Sequence, residues 1–182
     1  MAGLQTQRAC HTPVKRARSA PMGRTADYSD QVCPVAATLE VVGDPWTLLI
    51  LRDAFAGLRR FEQWQQQLGV ARNVLTARLK SLVAHGILEK QPYSQHPPRF
   101  EYALTPKGRD LYMVLAAMAD WGQRHVYGRA GPVRMVHRGC GRTFTPQLRC
   151  EVCGEPVGPH DLIRERGPVA LTVGEALAEA RD

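Results

Sequence analysis

The sequence has no apolar run long enough to cross a membrane. Its longest apolar stretch, residues 46–51, is interrupted by Thr47 and stops at Arg52, whereas a membrane-spanning helix needs roughly 18–20 apolar residues. The first residues also lack the continuous apolar segment of a secretory signal. We therefore predict a protein without membrane segments that stays in the cytoplasm.

Cysteine is sparse as well, with five residues in a chain of 182. Because the cytoplasm is reducing, we do not expect these cysteines to form a disulfide framework. Metal binding, redox sensing and simple burial remain as roles for these thiols.

Negative charge is absent from the first 26 residues, which carry basic side chains at positions 8, 15, 16, 18 and 24. The segment also lacks apolar periodicity, so we predict a disordered basic arm over residues 1–27. It is either a solvated tail or an arm that reaches DNA phosphates. The whole chain has a formal net charge of +7 and a pI of about 9.5. That balance suits a polyanionic partner but is shared by many proteins.

Apolar spacing becomes dense between residues 33 and 126. Proline at positions 34, 45 and 106 predicts helix starts, and glycine at positions 43, 57, 69 and 86 predicts helix ends. The resulting order is four helices, a hairpin with strands at about 87–92 and 99–104, and one long helix from Pro106. This is the order of a winged helix-turn-helix, so the predicted fold class is mainly α with a small β-wing. A domain over residues 28–128 is expected.

The fourth helix, at about residues 72–85, carries the predicted DNA-reading surface. Leu75, Leu79 and Leu82 share its inner face, and amide and hydroxyl side chains outside could read base edges in the major groove. The predicted DNA contacts are Arg72, Asn73, Thr76, Arg78 and Lys80 of the helix and Arg99 of the wing. A plain solvated helix face is the alternative, and Arg78 could instead pair with an acidic residue inside the protein. His96 at the wing tip is left open.

Specific motifs mark residues 33–126. They are Cys33-Pro34, Asp44-Pro45-Trp46 with Arg52-Asp53, Gly57 with Arg60-Phe61, Leu75-Thr76 with Arg78-Leu79, Gly86, Pro97-Pro98-Arg99 with Tyr102, Leu104-Thr105 and Gly108. This segment resembles the HxlR-type family of bacterial winged-helix regulators. The resemblance implies a dimer held by the first and last core helices, a recognition helix at about 72–85 and a wing at about 88–104. It also implies control of a nearby operon, which we predict to be repression.

Cys33 lies where some members of this family carry a redox-sensing thiol. It comes directly before the predicted first helix, and helix N-termini favour the thiolate form of cysteine. The alternative is a small buried residue at the dimer seam.

A glycine- and cysteine-rich segment, residues 129–165, follows the winged helix. His137 and Cys140 form one pair with a two-residue gap, Cys150 and Cys153 form another, and glycine follows each pair. Four such side chains predict a structural zinc site in a small zinc-ribbon-like module. Free thiols or a Cys150–Cys153 redox pair are alternatives, and His160 could substitute as a ligand. Residues 166–182 are predicted to be a tail containing a short helix.

Together these features predict a non-enzymatic regulator that binds duplex DNA as a homodimer. We expect a roughly palindromic operator whose half-sites lie about one helical turn apart or a multiple of it. Oxidants or a small ligand of unidentified chemistry could control it. A thiol oxidoreductase using Cys150 and Cys153 is one rival, although the usual βαβ setting is missing from the sequence pattern. An adaptor that docks through the zinc module is the other, and salt-dependent binding to duplex DNA would separate both rivals from a regulator.

Overall fold

The computed structural model describes residues 28–128, 131–163, 168 and 171–180. The predicted basic arm, residues 1–27, lies outside the described residues. Two compact units contain the rest: residues 28–112 with 171–180 form the first, and residues 113–163 with Pro168 form the second.

Helices dominate the described chain, and its one named sheet is a two-stranded antiparallel hairpin. The elements are α1 Pro34–Val42, α2 Pro45–Phe55, α3 Phe61–Leu68, α4 Arg72–Ala84, β1 Leu88–Gln95, β2 Pro98–Leu104, α5 Pro106–Asp110, α6 Tyr112–His125 and α7 Val173–Glu179. The predicted fold class, mainly α with a β-wing, is confirmed for residues 28–125. The zinc-ribbon part of that prediction stays a prediction.

The helix starts follow local sequence signals. A carboxylate oxygen of Asp44 accepts from the backbone N–H of Trp46 at 2.9 Å, and the Thr105 hydroxyl accepts from the N–H of Gly108 at 3.0 Å. A proline stands in the first turn behind both caps. Gly69 closes α3 with a φ of 61°, in the left-handed region that favours glycine. This residue makes the turn between α3 and α4.

The predicted long helix from Pro106 is wrong, because the chain breaks it into α5 and α6. Arg109 donates to the Leu104 carbonyl at 2.8 Å, and Gly108 lies so close to the Ile87 carbonyl that a Cβ would overlap it. These contacts tie α5 to the base of the hairpin. The N–H of Leu111 then pairs three residues back with Gly108 at 3.3 Å, a tight turn that ends α5. The hairpin strands are also longer than predicted, which leaves only His96 and Pro97 at the tip.

The core of the first unit lies between α2, α3, α4 and the hairpin. Trp64 is fully buried, and its indole N–H donates to the Ile50 carbonyl at 3.2 Å. The other buried apolar side chains of this unit are Ala36, Val42, Ile50, Leu51, Leu68, Val70, Leu75, Leu79, Leu82, Ile87, Leu88 and Val173. The core therefore includes one residue from the far end of the chain.

That residue belongs to α7, which packs against α1. The N–H of Val173 donates to the Gln31 carbonyl at 2.7 Å, and the N–H of Gly174 donates to the Ser29 carbonyl at 2.9 Å. Thr172 and Glu175 cap the helix reciprocally. The tail helix expected from the sequence is therefore part of the first unit.

Among the described residues, no single helix has both the length and the apolar composition to span a membrane. Taken together, α1 and α2 reach that length and composition, but they are bent by 79° where they meet.

Candidate nucleic-acid interface and the cysteine turns

Helix α4 separates an apolar inner face from a polar outer face. Leu75, Leu79 and Leu82 are at most 1% exposed. An open depression on the outside is lined by Arg72, Asn73, Thr76, Ala77 and Lys80. The structure thus gathers five adjacent side chains on the outer face of α4, four of which are predicted DNA contacts. Small and amide side chains there would let the helix backbone approach a groove floor.

Two local contacts hold the first turn of α4. The Arg72 guanidinium carbon lies 4.8 Å from the centre of the Phe61 ring in α3, a cation–π contact. The Thr76 hydroxyl donates to the Arg72 carbonyl at 2.8 Å. Its proton is therefore committed to the helix, while its oxygen can still accept a hydrogen bond. The contact with Phe61 therefore holds the Arg72 side chain in place in the protein without DNA.

Arg78 faces a partner within the protein. Its guanidinium lies 3.0 Å from a carboxylate oxygen of Asp44. The other carboxylate oxygen of Asp44 caps α2, so the pair connects α4 to the start of α2. The structure favours the intramolecular alternative for Arg78 over the predicted DNA contact.

The wing is fastened to the start of α3. The N–H of Tyr102 donates to the Arg59 carbonyl at 2.8 Å, and Arg60 forms a β-bridge with Glu101. The Arg59 guanidinium also lies 3.6 Å from the Glu101 carboxylate. Since α3 and α4 are joined by a tight turn, these contacts fix the wing relative to the recognition helix.

Two further basic side chains of this region escaped the sequence prediction. The Arg60 guanidinium stacks 4.4 Å from the centre of the Tyr93 ring, and the Lys90 ammonium lies 3.9 Å from the centre of the Phe100 ring. Basic and aromatic residues near one another along the hairpin were the available signal for Lys90. Arg99 is exposed and pairs in register with Ser94 near the tip.

The charges of the predicted phosphate contacts remain available to a partner. Within the described part of the chain, Arg72, Lys80 and Arg99 are exposed and form no ion pair. An exposed helix following a helix-turn, with a hairpin wing and cations beside it, defines a winged helix-turn-helix transcription regulator.

The particular family follows from comparison with known proteins. The model of the HxlR-like helix-turn-helix family matches residues 41–129. An uncharacterized HTH-type transcriptional regulator of Mycobacterium tuberculosis is 42% identical over 135 residues, which cover 74% of this chain and 85% of that protein. The chain belongs to the HxlR-like helix-turn-helix family.

A further relative and two solved structures agree with this assignment. An uncharacterized HTH-type regulator of Synechocystis is 36% identical over 116 residues, which cover 61% of this chain and 83% of that protein. The crystal structure of PA1607, a candidate transcription factor, is 39% identical with a TM-score of 0.69 and covers 77% of this chain and 99% of its own. PA1374 of Pseudomonas aeruginosa, another candidate, is 42% identical with a TM-score of 0.56 and covers 76% and 94%. These relatives indicate a transcription regulator.

Cys33 occupies the N-cap position of α1 and is half-buried. Its side chain makes no capping hydrogen bond. Val32 and Val35 beside it are 60% and 68% exposed. The thiol therefore lies at the edge of an exposed apolar surface.

The second unit contains the two predicted ligand pairs. The Nδ1 atom of His137 lies 3.3 Å from the Cys140 sulfur. Backbone N–H groups of Cys153 and Val152 point at the Cys150 sulfur, and together with the Cys153 side chain they lower the pKa of the Cys150 thiol. In the described residues, no group of three or more His, Cys, Asp or Glu side chains is close enough to hold one metal ion. The structure brings the ligands together as pairs, and zinc stays a prediction.

Proposed function

We propose that this protein is a sequence-specific transcription repressor that binds duplex DNA as a homodimer. The observation that carries the proposal is the exposed outer face of α4 beside a wing fastened to α3. In this arrangement α4 enters the major groove, and Asn73 and Thr76 approach base edges. Arg72 and Lys80 reach phosphates from the helix, and Arg99 does so from the wing.

Exposed apolar side chains support the homodimer. On α1, Val35 is 68% and Leu39 is 41% exposed. On α6, in the other unit, Met113, Met118 and Trp121 are 50–67% exposed. Apolar patches of this kind mark interaction surfaces. A second copy of the chain is the proposed occupant, as the family resemblance implies.

A two-fold dimer would present two α4 helices to one face of DNA, which suits a roughly palindromic operator. A dimer bound to an operator that overlaps a promoter would block transcription. This is the proposed repression, which takes place in the cytoplasm. The rival thiol oxidoreductase gains no support, because the sheet of the described residues is an antiparallel hairpin and not a βαβ unit.

Selection of bound fragments from the host genome tests this function. We expect enrichment of a symmetric sequence and a dimer mass in sedimentation. On that sequence the affinity should fall steeply as salt rises, because phosphate contacts release counterions. Binding that does not distinguish the enriched duplex from a scrambled one would contradict a sequence-specific regulator, and the absence of salt-dependent binding to duplex DNA would favour the adaptor.

Oxidant control through Cys33 is a finer proposal, supported by its half-buried place beside exposed Val32 and Val35. Oxidation there would add polar atoms or a cross-link to the proposed dimer surface. We expect peroxide or quinone to release wild-type protein from its operator, and Cys33→Ser to bind normally without responding. Gel-shift titrations with and without oxidant measure this. A full response in Cys33→Ser would assign sensing to other cysteines, and no response in the wild type would leave Cys33 a packing residue.

A further inference from the structure

Residues 131–163 contain two hydrogen-bonded turns but no buried side chain. Every described residue of this segment is half-buried or exposed, and Phe144, Leu148 and Val152 are 38%, 64% and 95% exposed. Because the segment has no buried apolar side chain, hydrophobic burial does not stabilise its structure. Small domains in this situation use disulfides, metals or a partner.

The backbone of this segment repeats itself at an interval of 13 residues. The N–H of residue 137 bonds the carbonyl of 142 at 2.8 Å, and 150 bonds 155 at 2.9 Å. The N–H of 141 returns to 137 and that of 154 to 150, both at 2.8 Å. The outer bonds, 144 to 135 at 2.8 Å and 157 to 148 at 3.0 Å, match as well. The β-bridges 136–143 and 149–156 complete two equivalent turns.

Each turn holds two ligand-type side chains at equivalent positions. Gly141 and Gly154 follow them with φ of 68° and 74°, a conformation that glycine adopts readily. The 3.3 Å between His137 Nδ1 and the Cys140 sulfur is close to the edge of a zinc tetrahedron. That edge is roughly 3.6 Å for a tetrahedral angle and bonds of about 2.0–2.1 Å to nitrogen and about 2.3 Å to sulfur.

The two equivalent turns each carry a ligand pair, and the segment lacks a buried core. These are independent observations with one explanation.

We propose that residues 131–163 bind one Zn²⁺ per chain through His137, Cys140, Cys150 and Cys153. Four protein ligands leave no open position, so the ion is structural and not catalytic. Binding closes the two turns on one another and replaces the missing core, and residues 141–149 form the link between them. Folding of the segment is therefore coupled to the metal. This site does not depend on the proposed DNA binding.

Metal analysis of full-length protein purified without chelator tests the site. A Cys10→Ser/Cys33→Ser background leaves only Cys140, Cys150 and Cys153 as thiols. We expect one zinc per chain, three thiols protected from a disulfide reagent, and release of that zinc when a mercurial modifies them. Replacement with Co²⁺ should give the absorption of a tetrahedral thiolate site. Protein without stoichiometric zinc that takes up none when zinc is added, and whose three thiols react freely, overturns the proposal.

Substitutions separate ligands from bystanders. Cys150→Ser/Cys153→Ser should lose the zinc, whereas His137→Cys should retain it because thiolate replaces imidazole. Val152→Ser in the same turn and His160→Ala outside both turns are the matched controls and should keep one zinc. Unchanged zinc in Cys150→Ser/Cys153→Ser, or loss of zinc in His160→Ala but not in His137→Ala, contradicts this ligand set.

Limited proteolysis tests the structural role. Chelator should expose residues 131–163 to cleavage while DNA binding and the thermal unfolding of the winged-helix unit change little. Equal resistance of this segment with and without metal would show that zinc does not replace its core.

Discussion

Lys80→Ala and Arg99→Ala are each expected to weaken binding to the operator and to random duplex DNA by a similar factor. Both side chains are exposed, and neither forms an ion pair within the described residues. A lost phosphate contact carries no sequence information but reduces the slope of log affinity against log salt by about one. Because a dimer loses the contact twice, the slope should fall by about two. Titrations at several salt concentrations on operator and scrambled duplexes measure it.

Asn73→Ala should weaken DNA binding in a different way, because the Asn73 amide lies in the exposed first turn of α4. A lost base contact costs about 1–3 kcal/mol per half-site on the true operator and little on random DNA. Over two half-sites this is about 2–6 kcal/mol, or roughly 30-fold to 10⁴-fold in affinity. The salt slope should stay nearly unchanged. The expected signature is lost discrimination with retained non-specific binding.

Arg78→Ala provides the matched control for these variants. It removes one positive charge from the same helix as Lys80→Ala, but that charge is paired with Asp44 at 3.0 Å. We expect it to lower thermal stability and to change the salt slope less than Lys80→Ala does. If Lys80→Ala, Arg99→Ala and Asn73→Ala all bind a genuine operator like the wild type, α4 does not read DNA and the proposed function is wrong.

Trp64→Ala is expected to have the largest effect on folding. The side chain is fully buried, and its indole N–H donates to the Ile50 carbonyl at 3.2 Å. Truncating a buried tryptophan costs about 3–5 kcal/mol, a large part of the roughly 5–15 kcal/mol that stabilises a typical domain. Urea unfolding followed by circular dichroism measures the loss.

Phe100→Ala in the wing is the control for this truncation. Its ring is 41% exposed, so the free energy of unfolding should fall by much less. Trp64→Phe keeps an aromatic ring but removes the indole N–H and part of the side-chain volume, so its effect should be smaller than that of Trp64→Ala. An effect of Trp64→Ala no larger than that of Phe100→Ala would mean that the core is not organised around this residue.

Helix boundaries were predictable where the signal is local. Asp44 with Pro45 and Thr105 with Pro106 combine a capping oxygen with a first-turn proline, and both begin helices in the structure. The end of α5 was not predictable in this way. It lies at the tight turn between Gly108 and Leu111, next to a contact of Gly108 with the Ile87 carbonyl that no spacing of apolar residues records.

The candidate site shows the same division. Periodicity identified α4 and its outer face correctly, because Leu75, Leu79 and Leu82 lie on one side of any helix drawn through them. The partner of Arg78 could not be read from the sequence, which left two alternatives open and did not point to Asp44. The Arg60–Tyr93 contact also joins separate elements. Sequence patterns predict which face of a helix carries a side chain. The structure shows which of these side chains already have a partner within the protein.

α7 is hydrogen-bonded to residues 29 and 31. This pairing determines how the segment between α6 and α7 is connected to the rest of the chain. The described residues of the second unit lie in sequence between two segments of the first unit that are hydrogen-bonded to each other, so the second unit is an insertion and not a free tail. A single protease cut within it would leave two fragments that remain associated. During synthesis, the winged-helix unit can be completed only after α7 has left the ribosome. Until then α1 lacks one of its neighbours, and a chain truncated before Val173 would keep that deficit permanently.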